Sequence, residues 1–139
     1  STKNEALSLL DGLSTTLPAV TRAVKLQQRA AKVGFDWHDL YPAFNKMYEE
    51  IEELKAEIEA NNPDQSRIQD EVGDILFAAT NIARLAGYEP ETSLILANRK
   101  FEKRFRQMEK YSKANNQLME NMTLDELEII WDISKKTII

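Results

Sequence analysis

The chain has no cysteine, which excludes disulfides and thiolate metal sites and fits a reducing compartment. It has one histidine, His38. A di-iron carboxylate bundle, which needs Glu-x-x-His on two helices, is therefore excluded, and His38 reads as a loop or capping residue. Four glycines and four prolines in 139 residues leave little punctuation, so long regular elements are expected. Valine and aromatic residues are sparse, and no period-two pattern persists over four residues, which argues against strands. No apolar run approaches the roughly 20 residues that span a bilayer, and no signal peptide is visible at the start. Ser1 rather than Met opens the chain, so a processed product or a piece of a longer protein, with a further N-terminal domain, is expected. The setting is read as cytoplasmic, with no membrane partner.

What is abundant is Glu, Lys, Leu, Ala and Gln, a helix-forming mixture. Apolar residues make up 42% of the chain, enough for one domain with a core. The net charge of −5 argues against a nucleic-acid partner, which needs a basic surface. It leaves room for a small phosphorylated ligand, because a bound cation reverses the local sign.

Residues 1–17 read as a leading segment or linker, in which Leu7, Leu9, Leu10 and Leu13 are expected to form a short docking helix. Residues 18–139 read as the catalytic domain, a helical bundle of four to five main helices. Pro18 suits a helix start and Gly34 a left-handed cap. A second helix runs from near Pro42 to about Ala60, with Met47, Ile51, Leu54 and Ile58 as its apolar stripe. A third follows Asp64 as N-cap and ends before Gly87, with a stripe of Ile68, Val72, Ile75, Ala79, Ile82 and Ala86. A fourth runs from near Pro90 to about Ala114. Thr123 and Glu126 form a capping box for the last helix.

The informative residues lie beside these stripes. On a helix turning about 100° per residue, Lys46, Glu50, Glu53 and Glu57 fall between roughly −60° and −120° of Met47. On the third helix Glu71, Asp74 and Arg67 occupy the same sector relative to Ile68. Each helix thus carries a Glu-x-x-acid pair at the border of its seam. On antiparallel packing four carboxylates can converge, and they cannot all stay ionised there without a cation. Oxygen-only ligands suit Mg²⁺, with Mn²⁺ as the alternative. The competing reading of either pair alone is a solvated acidic face. Lys100 and Arg104 form an i, i+4 basic pair suited to a polyphosphate, or else a solvated basic face. Trp131 is either a base-stacking residue or a core anchor.

Glu49-Glu50-Ile51-Glu52-Glu53 and Glu71-Val72-Gly73-Asp74 resemble the MazG family of nucleoside triphosphate pyrophosphohydrolases, and in particular the C-terminal catalytic domain of two-domain bacterial members. Val33 to Trp37, Lys46 to Glu50, Glu71 to Phe77 and Asn98 to Glu102 extend the resemblance from about Leu17 to Trp131. It implies an all-α NTP pyrophosphatase fold, completed by dimerisation, that converts NTP or dNTP to the monophosphate and pyrophosphate. It further implies broad base tolerance and a role in nucleotide pool control. By position, Glu50, Glu53, Glu71 and Asp74 match the metal ligands. Lys46, Glu49, Arg67, Asp70, Lys100, Arg104 and Trp131 match nucleotide-pocket positions. Arg67 and Asp70 depart from the Lys and Glu expected there, changing hydrogen-bond geometry and reach. Glu50 serves the catalytic site as a ligand, and Glu49 and Glu53 both stand as candidates for the general base. The competing reading from another class is a non-catalytic helical domain that binds nucleotide and metal.

Overall fold

The computed structural model describes residues 7–137. Among them it contains five α-helices and no strand: α1 Ala19–Ala31, α2 Leu40–Glu59, α3 Gln65–Leu85, α4 Pro90–Ala114 and α5 Leu124–Thr137. A 3-10 turn at Met119–Asn121 precedes α5. The all-α expectation is met. The chain divides into two compact units, Ser1–Thr92 and Ser93–Ile139, with the division inside α4.

The helices begin and end where local chemistry dictates. Asp39 caps α2 by accepting from Tyr41 N at 2.9 Å, and Asp64 caps α3 by accepting from Ser66 N at 2.9 Å. Pro42 therefore lies in the first turn of α2, where its missing N–H costs nothing. At α5, Glu126 N donates to Thr123 Oγ1 and Thr123 N donates to Glu126 Oε1, the reciprocal pair of a capping box. Three helices stop on one motif: Phe35 N bonds Ala30 O, Tyr88 N bonds Ala83 O and Gln117 N bonds Ser112 O. The residue before each donor, Gly34, Gly87 or Asn116, has φ of +85°, +91° or +52°, the left-handed turn that closes a helix end.

Among the described residues, the expected leading helix is absent. Residues 9–12 form a turn instead. Asp11 accepts from Ser8 N and Ser8 Oγ accepts from Leu10 N, local bonds that compete with a helical ladder. Arg29 then fixes the turn by donating to the carbonyls of Leu9 and Asp11 at 2.8 and 2.7 Å.

In the first unit α2 and α1 both pack on α3. The short connection from Ala60 to Asp64 makes α2 and α3 an antiparallel hairpin. Val24 and Gln27 of α1, Ala43 of α2 and Ala78 of α3 are buried. Gln27 Nε2 donates to Phe77 O at 3.2 Å. The loop between α1 and α2 is held to the end of α3 by a fork of charge: Arg84 Nη1 and Nη2 donate to the two Asp36 oxygens at 3.1 and 2.6 Å. Arg84 also donates to Asn81 Oδ1.

The α3 seam is not the expected stripe. Val72 is 42% exposed, and Ala79 and Ala86 are exposed as well. Ile68, Glu71, Ile75 and Ile82 are half-buried and Ala78 is buried, a line at three- and four-residue steps that includes an acid. Tyr48, Ile58, Leu76 and Phe77 also remain exposed, so the hairpin presents substantial apolar surface. In the second unit Met108, Ser112, Ile130 and Ser134 are buried. Phe101 stacks on Phe105 at 6.1 Å and lies 5.5 Å from the Trp131 ring.

Candidate metal and nucleotide site

The hairpin brings three of the four proposed metal ligands together. One oxygen from each of Glu50, Glu53 and Glu71 lies within 4.8 Å of the other two. Glu50 and Glu53 share a sector of α2 because they are three residues apart, and α3 runs back past them carrying Glu71. Asp74 is not in this group and is exposed. Three residues beyond Glu71, it stands about 60° further round the helix and about 4.5 Å along it.

Glu53 is exposed and Glu71 half-buried, but the burial of Glu50 makes the cluster electrostatically costly. Glu50 is only 4% exposed, yet its Oε2 has no hydrogen-bond partner, and Glu71 Oε2 is likewise buried without one. Carboxylate oxygens that face one another can be satisfied by a proton or a cation. Burial pushes the Glu71 carboxyl up to about 7, with Glu50 and Glu53 adding to the shift. Glu50 moves the other way. Its bond to the Lys46 ammonium holds it below the usual carboxylate range, against the opposing effect of burial. Lys46 Nζ lies 2.9 Å from Glu50 Oε1 and 3.8 Å from Glu49 Oε2, and Glu50 raises the lysine's pKa in turn. Three converging carboxylates with two orphaned buried oxygens can hold a metal ion, and an oxygen-only donor set fits a hard divalent cation.

The remaining candidates are placed as follows. Glu49 is exposed beside Lys46. Arg67 is exposed and lies 3.9 Å from Asp64, and Asp70 is exposed. Lys100, Arg104 and Trp131 belong to the second unit. Lys100 is exposed, while the Arg104 guanidinium sits over the Trp131 ring, 5.5 Å from its centroid, a cation–π contact. Periodicity had no means of finding the Asp36–Arg84 fork, because its partners are 48 residues apart.

An all-helical protein with a helical hairpin whose clustered carboxylates could hold a metal ion is the class that this geometry defines. Residues 43–110, which include the whole cluster, match the MazG nucleotide pyrophosphohydrolase domain. This stretch of the chain is a MazG domain by its similarity, and the likeness to named proteins extends beyond it. It is 43% identical over 129 residues to a nucleoside triphosphate pyrophosphohydrolase of Escherichia coli K12, covering 93% of this chain and 49% of that protein. It is 34% identical over 128 residues to the nucleoside triphosphate pyrophosphohydrolase/pyrophosphatase MazG of Thermotoga maritima, covering 92% and 48%. An uncharacterized protein of Bacillus subtilis, YabN, is 41% identical over 130 residues, covering 94% of this chain and 26% of its own length. The chain thus spans about half the length of the pyrophosphohydrolases it matches. No described helix is long and apolar enough to cross a membrane.

Proposed function

We propose that this chain hydrolyses nucleoside triphosphates, NTP or dNTP, to the nucleoside monophosphate and pyrophosphate with Mg²⁺, Mn²⁺ being the alternative ion. The observation that carries this reading is the Glu50, Glu53 and Glu71 cluster with its two buried, unpartnered oxygens. The names of the E. coli and T. maritima relatives support it.

Glu50, Glu53 and Glu71 would hold the metal, with Asp74 as a fourth oxygen donor. When bound, such an ion neutralises phosphate charge and acidifies a coordinated water. Lys46 and Arg67 supply cationic donors to phosphate oxygens, and Glu49 and Asp70 are the further first-unit residues assigned to the nucleotide. Lys100, Arg104 and Trp131 are assigned to the nucleotide on their own chemistry: two cations for phosphate and a ring for the base. Stacking tolerates every base, which accounts for broad specificity. Glu49 or Glu53 accepts the proton of the attacking water. The water oxygen forms the new bond to phosphorus, the α–β phosphoanhydride breaks, and pyrophosphate leaves. The exposed Ile58, Leu76 and Phe77 support a homodimer that covers this surface. The triphosphate substrate supports a cytoplasmic setting.

The test is pyrophosphate release from a panel of ribo- and deoxynucleoside triphosphates, with Mg²⁺ and with EDTA. Metal-dependent formation of monophosphate and pyrophosphate is expected, lost in Glu50→Ala and Glu71→Ala with the circular dichroism spectrum unchanged. A folded protein that turns over none of the panel would overturn the reading in favour of a nucleotide-binding domain without catalysis.

A further inference from the structure

Lys46 stands at the border of two tasks. Its ammonium is bonded to Glu50 Oε1 at 2.9 Å, yet the side chain is 44% exposed while that of Glu50 is 6% exposed. The nitrogen therefore neutralises one buried carboxylate from the wet side. The other Glu50 oxygen, Oε2, is buried and unpartnered, as is Glu71 Oε2. With all three acids ionised the cluster carries three negative charges, and Lys46 reduces that to two. Arg67 makes its ion pair with Asp64, and among the described residues no other ion pair reaches Glu50, Glu53 or Glu71.

A cation that sits on a metal ligand repels a metal ion, and a triphosphate offers that cation a more highly charged partner. We propose that Lys46 couples metal binding to triphosphate binding, lowering metal affinity while it rests on Glu50 and raising it when the triphosphate draws it away. This rests on the nucleotide reading above and goes beyond it, because Lys46 becomes a coupling residue as well as a phosphate contact. The coupling is reciprocal: whatever factor the nucleotide adds to metal affinity, the metal adds to nucleotide affinity. The lysine need not unfold or shift any helix to act, since a long flexible side chain at a wet border changes partner by rotamer alone.

The experiment is isothermal titration of the full chain with Mn²⁺, alone and with a non-hydrolysable α,β-methylene triphosphate, at about pH 8.5 so that protons do not compete with the metal. Lys46→Gln is expected to bind Mn²⁺ about ten-fold more tightly than wild type without nucleotide, after allowance for solvent and salt screening. In Lys46→Gln the analogue is expected to improve Mn²⁺ binding far less than in wild type. Lys46→Arg keeps the charge and is expected to behave as wild type does, which separates charge from packing. Circular dichroism verifies folding of both variants. Equal or weaker Mn²⁺ binding by folded Lys46→Gln, with wild type still releasing pyrophosphate, would overturn the coupling and leave the enzyme reading standing. Wild type that neither binds Mn²⁺ nor releases pyrophosphate would overturn both.

Discussion

Replacing Asp36 by Asn removes the negative half of the fork that ties the loop after α1 to the end of α3. The Asp36 and Arg84 side chains are 25% and 14% exposed, so the pair lies between two known limits. An exposed pair contributes about 0–1 kcal/mol, whereas breaking a buried one costs about 3–5 kcal/mol. Partial exposure screens the interaction, and Asn can still accept one of the two hydrogen bonds, at 2.6 and 3.1 Å in the parent. A cost of about 2 kcal/mol follows. At about 2.1 cal/mol/K of unfolding entropy per residue, that cost lowers the melting temperature by roughly 7 °C. The pH dependence has a definite sign. Arg84 holds the Asp36 carboxyl below its ordinary value, so the native state binds this proton less readily than the unfolded chain. The contribution is present above the ordinary carboxylate value and is lost as pH falls through the lower native value. Urea unfolding in EDTA, at about pH 7 and then stepwise below about pH 4, measures both. A double-mutant cycle with Arg84→Ala isolates the pair. A cost under about 0.5 kcal/mol, or a coupling near zero, would refute the argument. Metal affinity should not change, because Arg84 lies thirteen positions, or about 20 Å of helix, beyond Glu71.

Three further outcomes are expected. In EDTA at about pH 8, Glu71→Gln should unfold at a higher temperature than wild type, because the native Glu71 carboxyl titrates near 7 and its ionised form opposes folding; the gain should vanish as pH falls below the unfolded value near 4.5, and an equal or lower midpoint at pH 8 counts against the burial account. Mg²⁺ at about a hundred times its dissociation constant should stabilise wild type by about 2.7 kcal/mol and Glu53→Ala far less; denaturant titrations that superimpose with and without the ion would argue against the cluster as a metal site. Gly87→Ala should cost about 1 kcal/mol, because φ is +91° with open space around the missing Cβ; an unchanged melting temperature would show that the α3 end relaxes freely.

Much of this fold was legible because helix ends are chemical statements. Asp64, the Thr123–Glu126 box, Gly34 and Gly87 mark boundaries through local bonds that any sequence window contains. The leading helix failed for the same reason. Ser8 and Asp11 use their side chains on nearby N–H groups, and leucine spacing alone does not register that competition. The α3 seam was misplaced because the helix packs against both α1 and α2, and a single apolar stripe describes one neighbour. Period and antiparallel pairing lead to the expectation that Glu50, Glu53, Glu71 and Asp74 converge, and the hairpin brings the first three of them together. Asp74 shares their motif but stands outside the group of converging oxygens, about one helical turn beyond Glu71. The Asp36–Arg84 fork left no local trace, since it joins a loop to a helix end far along the chain.

The hairpin has a consequence for the order in which the protein acquires its parts. Glu50 and Glu71 are 21 positions apart in the chain, with only a tight connection between their helices. Closing so short a segment carries little entropic cost and is rapid compared with long-range docking. During synthesis the acidic cluster can therefore assemble before α4 and α5 have been made. Its repulsion is then met within the nascent hairpin by the Lys46–Glu50 pair, with only α1 already made beside it.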